Sequence, residues 1–171
     1  TIVKEFIRQG VSISTCDIDK DCILELRSKY PQIYAEVVDV GDELAVKEFC
    51  IKSIEFLGGL DCLVNNAGMA GPTSPVEEID TEDWLHCLNV CLSSQFYFVK
   101  SCLQQLRESS SASIINISSA AGKHGFALRT PYASAKWGVI GLTKSLSIEL
   151  GKDKIRVNAI LPGLVAGDRQ Q

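Results

Sequence analysis

The sequence predicts an α/β fold built on a doubly wound, mostly parallel sheet. Three observations carry this. Strand-like and helix-period segments alternate along all 171 residues, and the connections between them are short. Polar, small and turn-forming residues also recur just past successive strand-like segments, where open α/β sheets place their ligands.

The elements follow in order. Residues 1–9 have the apolar spacing of a helix, stopped by Gly10, and Val11 to Cys16 is a strand. Residues 20–29 are helical and end before Pro31. Ile33 to Val38 is a second strand, and Asp42 to Leu57 a helix closed by Gly58-Gly59. Leu60 to Val64 is a short strand running into Asn65-Asn-Ala-Gly68. Thr81 to Arg107 is expected as one long helix, with Thr81 as cap signal and Glu82 and Asp83 in its first turn. Glu108 to Ser111 is its polar exit. Ser113 to Ile117 is a strand, Thr130 to Leu150 a helix closed by Gly151, and Ile155 to Leu161 a last strand before Pro162-Gly163. With no internal repeat and no linker, residues 1–171 are expected to form one domain.

Composition narrows the function classes. A hydrophobic share of 46% with 22% charged residues is ordinary for a globular chain. No apolar run approaches the roughly 20 residues of a membrane-spanning helix. The net charge of −4 argues against nucleic acid or an anionic membrane surface as partner. Seven cysteines, Cys16, Cys22, Cys50, Cys62, Cys87, Cys91 and Cys102, form no CxxC pair, which argues against a zinc site and a disulfide framework. They are expected as small buried residues of a protein kept in a reducing cytoplasm. Cys87 and Cys91 stand one helical turn apart and share a face, but two thiols do not make a metal site.

The chemistry concentrates at Tyr132 and Lys136. Four residues apart on one predicted helix, their side chains project from the same face. A tyrosine, with a reference pKa of about 10, is a poor acid/base at neutrality, and a neighbouring ammonium favours its phenolate. Ser119, at the end of the preceding strand, puts a hydroxyl within reach of a carbonyl placed beside the phenol. The pair alone is a weak signal, because the same spacing on most helices means a packed tyrosine and a solvated lysine. Its setting gives it weight: Asn65-Asn-Ala-Gly68, Asn116-Ile-Ser-Ser119, Tyr132-Ala-Ser-Ala-Lys136 and Val157 to Gly163 occur in this order.

Together these segments resemble the short-chain dehydrogenase/reductase family over essentially the whole chain. The resemblance implies a Rossmann-type fold and an NAD(P)-dependent oxidoreductase interconverting a carbonyl and a secondary alcohol by hydride transfer. The class is that of 3-oxoacyl reductases or alcohol dehydrogenases. It implies that Tyr132 transfers the proton, that Lys136 also holds the nicotinamide ribose, that Ser119 polarises the carbonyl, and that Asn89 props a water in the relay. Asn66, Ala67 and Gly68 would line the cofactor pocket, Pro162 and Gly163 flank the nicotinamide, and Asp39 and Val40 contact the adenine end. Asp17, ending the first strand of this chain, would accept from both ribose hydroxyls of NAD and repel the 2′-phosphate of NADP. Lys20 keeps NADP open, and Asp17 or Asp19 equally suits the cap of the next helix. A homo-oligomer through the 81–107 and 130–150 helices is implied as well.

Rival readings are a Ser119–Lys136 hydrolase, which lacks a GxSxG elbow, and a binding or scaffold protein without turnover. His86, His124 and Trp137 are expected as structural or surface residues, Trp137 by packing. The family's glycine-rich TGxxxGxG turn and first strand would precede residue 1, and its substrate loop and last strand would follow Gly163. The expectation is therefore a part of a chain of roughly 250 residues, its sheet lacking first and last strands and leaving two unpaired edges. Gly167 stands where relatives place a hydroxyl residue against the carboxamide. The substrate is left open, its selection resting partly on Gly71 to Pro75 and Lys123 to Arg129.

Overall fold

The computed structural model describes residues 2–165. Every strand is parallel to its neighbours. β1 (Ser14–Asp17) pairs with β2 (Tyr34–Val37), and β3 (Cys62–Asn65), β4 (Ser113–Ile117) and β5 (Arg156–Ile160) form a second ladder in the order β3-β4-β5. No ladder joins β1 to β3 among the described residues, so each keeps one unpaired edge, as expected from the sequence.

Helices cover both faces of the first ladder. Side chains alternate across a strand, and in β2 Tyr34 stacks near Phe49 while the adjacent Ala35 packs in a separate cluster with Ile13, Ile23 and Ile33. That second cluster lies under α1 (Ile2–Arg8) and α2 (Lys20–Lys29). The larger cluster joins α3 (Glu43–Leu57) and α5 (Ser94–Glu108) to the second ladder through Val46, Phe49, Phe98, Leu106 and Ile114. α7 (Thr130–Glu149) packs on β5 and β4 beside them.

Local signals explain most boundaries. Asp19 accepts from Asp21 N and Cys22 N to cap α2, and Asp42 does the same for α3 from Leu44 N and Ala45 N. α3 ends on Gly58, whose left-handed φ of 71° a residue with a Cβ adopts only at a cost.

Three expectations change. The helix from Thr81 is not uninterrupted: α4 (Thr81–Leu88) passes through a π-helical segment, Asn89–Ser93, before α5. Such bulges form where packing demands one extra residue. Here Leu92 would meet any Cβ on Gly138 at 2.6 Å, so the segment leans directly on the α7 backbone. Nor does Thr81 cap: Asp80 holds the extended N-cap position, with no side-chain bond to the helix. Short helical turns at Val76–Glu78, Ala121–His124 (α6) and Gly151–Asp153 also stand where loops were expected.

Candidate active site

The carboxyl ends of β3, β4 and β5 carry a buried polar ladder that fixes the site's floor. Asn65 Nδ2 donates to Asn116 Oδ1 at 2.9 Å, Asn116 Nδ2 donates to Thr143 Oγ1 at 2.9 Å, and Thr143 passes its proton to Val139 O at 2.7 Å. Asn116 is fully buried, and its pairs lock β3, β4 and α7 in register.

Above this floor α7 presents Tyr132 and Lys136. Lys136 Nζ lies 5.7 Å from the centroid of the Tyr132 ring and donates to Ile117 O at 2.9 Å. Only 3% of Lys136 is exposed. Burial holds its ammonium below the ordinary lysine range, against an opposing pull from Cys91 and Cys87. Ser118 Oγ donates to Lys136 O at 2.8 Å, and α6 crosses so closely that a Cβ on Gly122 would stand 2.5 Å from that hydroxyl. Ser119, the next residue, is half-buried and accepts from Ala121 N at 3.2 Å. Ala120 N donates to Pro162 O at 2.9 Å, which brings the turn after β5 beside Ser119.

Cys87 and Cys91 lie beneath, both fully buried and packed with Ala135 and Tyr132. Met69 N donates to Cys91 Sγ at 3.4 Å. Bonding from Cys87 and Met69 N, and the nearby Lys136, lower the Cys91 thiol, while the same pairing and burial raise Cys87. Gly71, with φ at 68°, threads past this pair; a Cβ there would approach Cys87 Sγ to 2.9 Å.

The expected cofactor residues lie along the same edge. The carboxylate of Asp17, exposed at the end of β1, accepts from Asp19 N at 3.1 Å. Because Asp19 caps α2, the carboxylate of Asp17 is left for another partner. Asp39 accepts from Gly41 N at 2.8 Å, and Val40 beside it is buried. Asn66, Ala67 and Gly68 leave β3 towards the lysine; a Cβ on Gly68 would stand 3.5 Å from Lys136 Nζ. The Cys91 thiol lies on the same side, with Sγ 3.7 Å from that Cβ position, so Gly68 packs directly against the buried lysine and cysteine.

Asn89 opens the π-helical segment. Its Nδ2 donates to Gly41 O at 2.7 Å and its Oδ1 accepts from Tyr97 Oη at 3.1 Å. The amide therefore joins the exit of β2 to the π-helical segment instead of standing open to a relay water. Trp137 does not pack, being 52% exposed, because it points away from the buried Lys136 face of α7. Cys22 and Cys62 are exposed too, contrary to the expectation of burial. Gly167 lies outside the described residues.

Thr143 is not singled out by the sequence, Asn116 and Ser118 enter there only as members of the Asn116-Ile-Ser-Ser119 segment, and Arg129 only as the end of the Lys123 to Arg129 stretch. Arg129 carried a signal: it precedes Tyr132 by three residues, one helical turn. Its Cζ lies 5.1 Å from the Tyr132 ring centroid.

The family model of the short chain dehydrogenases matches residues 1–171. Levodione reductase of Leifsonia aquatica is 32% identical over 164 residues, covering 92% of this chain and 61% of that protein. Among solved structures, an NAD+-bound xylitol dehydrogenase aligns with a TM-score of 0.86 at 28% identity, covering 93% of this chain and 63% of that one. ElxO with NADP bound aligns with a TM-score of 0.90 at 28% identity, over 98% of this chain and 69% of that one. The chain thus spans less than two thirds of the length of the levodione reductase and the xylitol dehydrogenase. With the parallel sheets, the strand-end polar edge and the paired tyrosine and lysine on α7, these matches place the chain in the short-chain dehydrogenase family.

Proposed function

We propose that this protein is an NAD-dependent oxidoreductase that interconverts a carbonyl and a secondary alcohol, with Tyr132 as its acid/base. The observation that carries it is the burial of Lys136 beside the Tyr132 ring, tied to Ile117 O immediately before Ser118 and Ser119. An isolated lysine ammonium is costly to bury unless it serves a purpose there.

A bound nicotinamide dinucleotide supplies the hydride. Asp17, Asp39 with Val40, Asn66 to Gly68, Tyr132, Lys136 and Pro162-Gly163 are the residues that would hold it, and the exposed Asp17 carboxylate at the end of β1 suits such a group. Tyr132 gives its phenolic proton to the substrate oxygen in reduction and takes it in oxidation. Lys136 holds the ring's neighbourhood fixed through its bond to Ile117 O. Ser119 donates to the substrate oxygen and sets its position beside the phenol. Asn89 supports this centre by fastening the π-helical segment to Gly41.

Asp17 supports NAD over NADP, since a free carboxylate at that strand end pairs with ribose hydroxyls and repels a phosphate. We further infer one domain over residues 1–171, a reducing cytoplasm for its seven thiols, and a homo-oligomer through the 81–107 and 130–150 helices. Exposed Phe96 and Trp137, at 47% and 52%, support that contact.

The test pairs binding with turnover. NADH fluorescence titration should show saturable binding by both the wild type and Tyr132→Phe. Turnover should fall by about 10²-fold or more in the variant, the usual share of general acid–base catalysis. Absence of NADH binding, with activity unchanged by Tyr132→Phe, would refute the enzyme reading and leave a non-catalytic scaffold.

A further inference from the structure

Two loops flank Tyr132, one leaving β3 and one leading into α7, and they are stapled together. Ser74 N donates to Leu128 O at 3.0 Å, and Arg129 Nη2 donates to Ala70 O. The Arg129 guanidinium stacks between two rings, 5.1 Å from the centroid of Tyr132 and 5.7 Å from that of Phe126. Its Nε is buried without a partner. The ion pairs among the described residues, counted to 4.0 Å, join Glu5, Glu36, Glu43 and Asp153 to other cations, and none reaches Arg129.

Arg129 is thus a cation with no acidic partner among the described residues, in a chain with 21 acidic against 17 basic residues. Partial burial of a charge without a counter-ion costs stability, so its retention beside the reacting tyrosine calls for an anion that arrives with a ligand. A guanidinium fork offers paired donors that match a carboxylate. Its closeness to the Tyr132 ring puts that anion a few bonds from the carbonyl carbon. A phosphate at the far end of a pantetheine arm would not meet both groups.

We propose that Arg129 is a specificity-determining residue that binds a carboxylate of the substrate, making the substrates oxo acids and their hydroxy acids. This rests on the oxidoreductase reading and names its substrate class.

The test uses the wild type, Arg129→Gln and Arg129→Lys in NADH-dependent reduction of 2-, 3- and 4-oxo carboxylic acids, each beside its methyl ester. The wild type should prefer at least one acid to its ester. Arg129→Gln should lose about 10- to 100-fold in kcat/KM on that acid, mainly through KM, and change on the ester by less than about threefold. Arg129→Lys should fall between. Equal losses on acid and ester would overturn the proposal, making Arg129 a mere clasp between loops. Reduction of esters or neutral ketones but of none of the acids would overturn it while leaving the oxidoreductase reading intact. Failure to bind NADH together with failure to reduce any compound would overturn both.

Discussion

Replacing Asn116 with leucine tests whether the polar ladder holds the site in register. Asn116 is fully buried in β4, and Asn65 across the ladder is 5% exposed. Asn116→Leu leaves the Asn65 amide without its acceptor, a desolvated donor costing about 1–3 kcal/mol. Thr143 also loses the bond from Asn116 at 2.9 Å, yet it keeps its own bond to Val139 O at 2.7 Å, so the further loss is the smaller one. Leucine brings apolar burial that offsets part of this, for a net loss of about 1–3 kcal/mol. Urea unfolding should show a lower midpoint with an unchanged slope. In the double variant with Asn65→Leu the orphaned amide disappears, so the two changes should couple by about 1 kcal/mol instead of adding. Strict additivity, or a loss in Asn116→Leu below about 0.5 kcal/mol, would refute a structural ladder.

Two further outcomes follow from the same packing. Lys136 binds its proton more weakly folded than unfolded, so the folded state is penalised below the folded pKa, and stability climbs as pH rises from there towards the ordinary value of 10.5. Lys136→Met should abolish that alkaline gain and be neutral to stabilising at neutrality while turnover is lost; parallel urea midpoints for both proteins between about pH 7 and about pH 10 would contradict this. Gly122→Ala places a methyl group 2.5 Å from Ser118 Oγ and 2.6 Å from Lys136 O, and should cost about 1–3 kcal/mol, seen as a lower Tm. Gly141→Ala, on α7 with nothing within 4 Å of the added Cβ, serves as the control and should stabilise by up to about 1 kcal/mol.

What the sequence made legible was local. α2 and β4 begin and end where their signals place them, at Asp19 and within Ser113–Ile117. Tyr132 and Lys136 could be paired because helix geometry alone brings residues four apart onto one face. The π-helical segment escaped, since a helical periodicity runs unbroken through Cys87 and Cys91, and the extra residue is demanded by packing against Gly138. Burial of Lys136 escaped for a similar reason: it depends on Ile117 O, on α6 at Gly122 and on the loop at Gly68, three segments far apart in sequence. Trp137 is exposed beside the buried Lys136 because adjacent helical positions point about 100° apart, a difference that residue type alone does not reveal. Asp17 and Asp19 stood as equal candidates for one cap, and only the bonds to Asp21 N and Cys22 N separate them.

The bonds divide the site into two parts that can vary separately. Lys136 is fastened by backbone and sheet: Ile117 O on one side, Ser118 Oγ through its own carbonyl on the other. Nothing in that set involves a loop that faces substrate. Arg129 belongs to the other part, joined to Ala70 O and lying beside the Ser74–Leu128 contact. The ring of Tyr132 lies against both cations, at 5.1 Å from Arg129 and 5.7 Å from Lys136. A substitution at Arg129 can therefore redirect which carbonyl is accepted without disturbing the bonds that hold the lysine. A change at Gly122 or Lys136 strikes the chemistry whatever the substrate. On the proposed reading, separate fastening would let the loops set specificity while β4 and α7 hold Lys136 in one position.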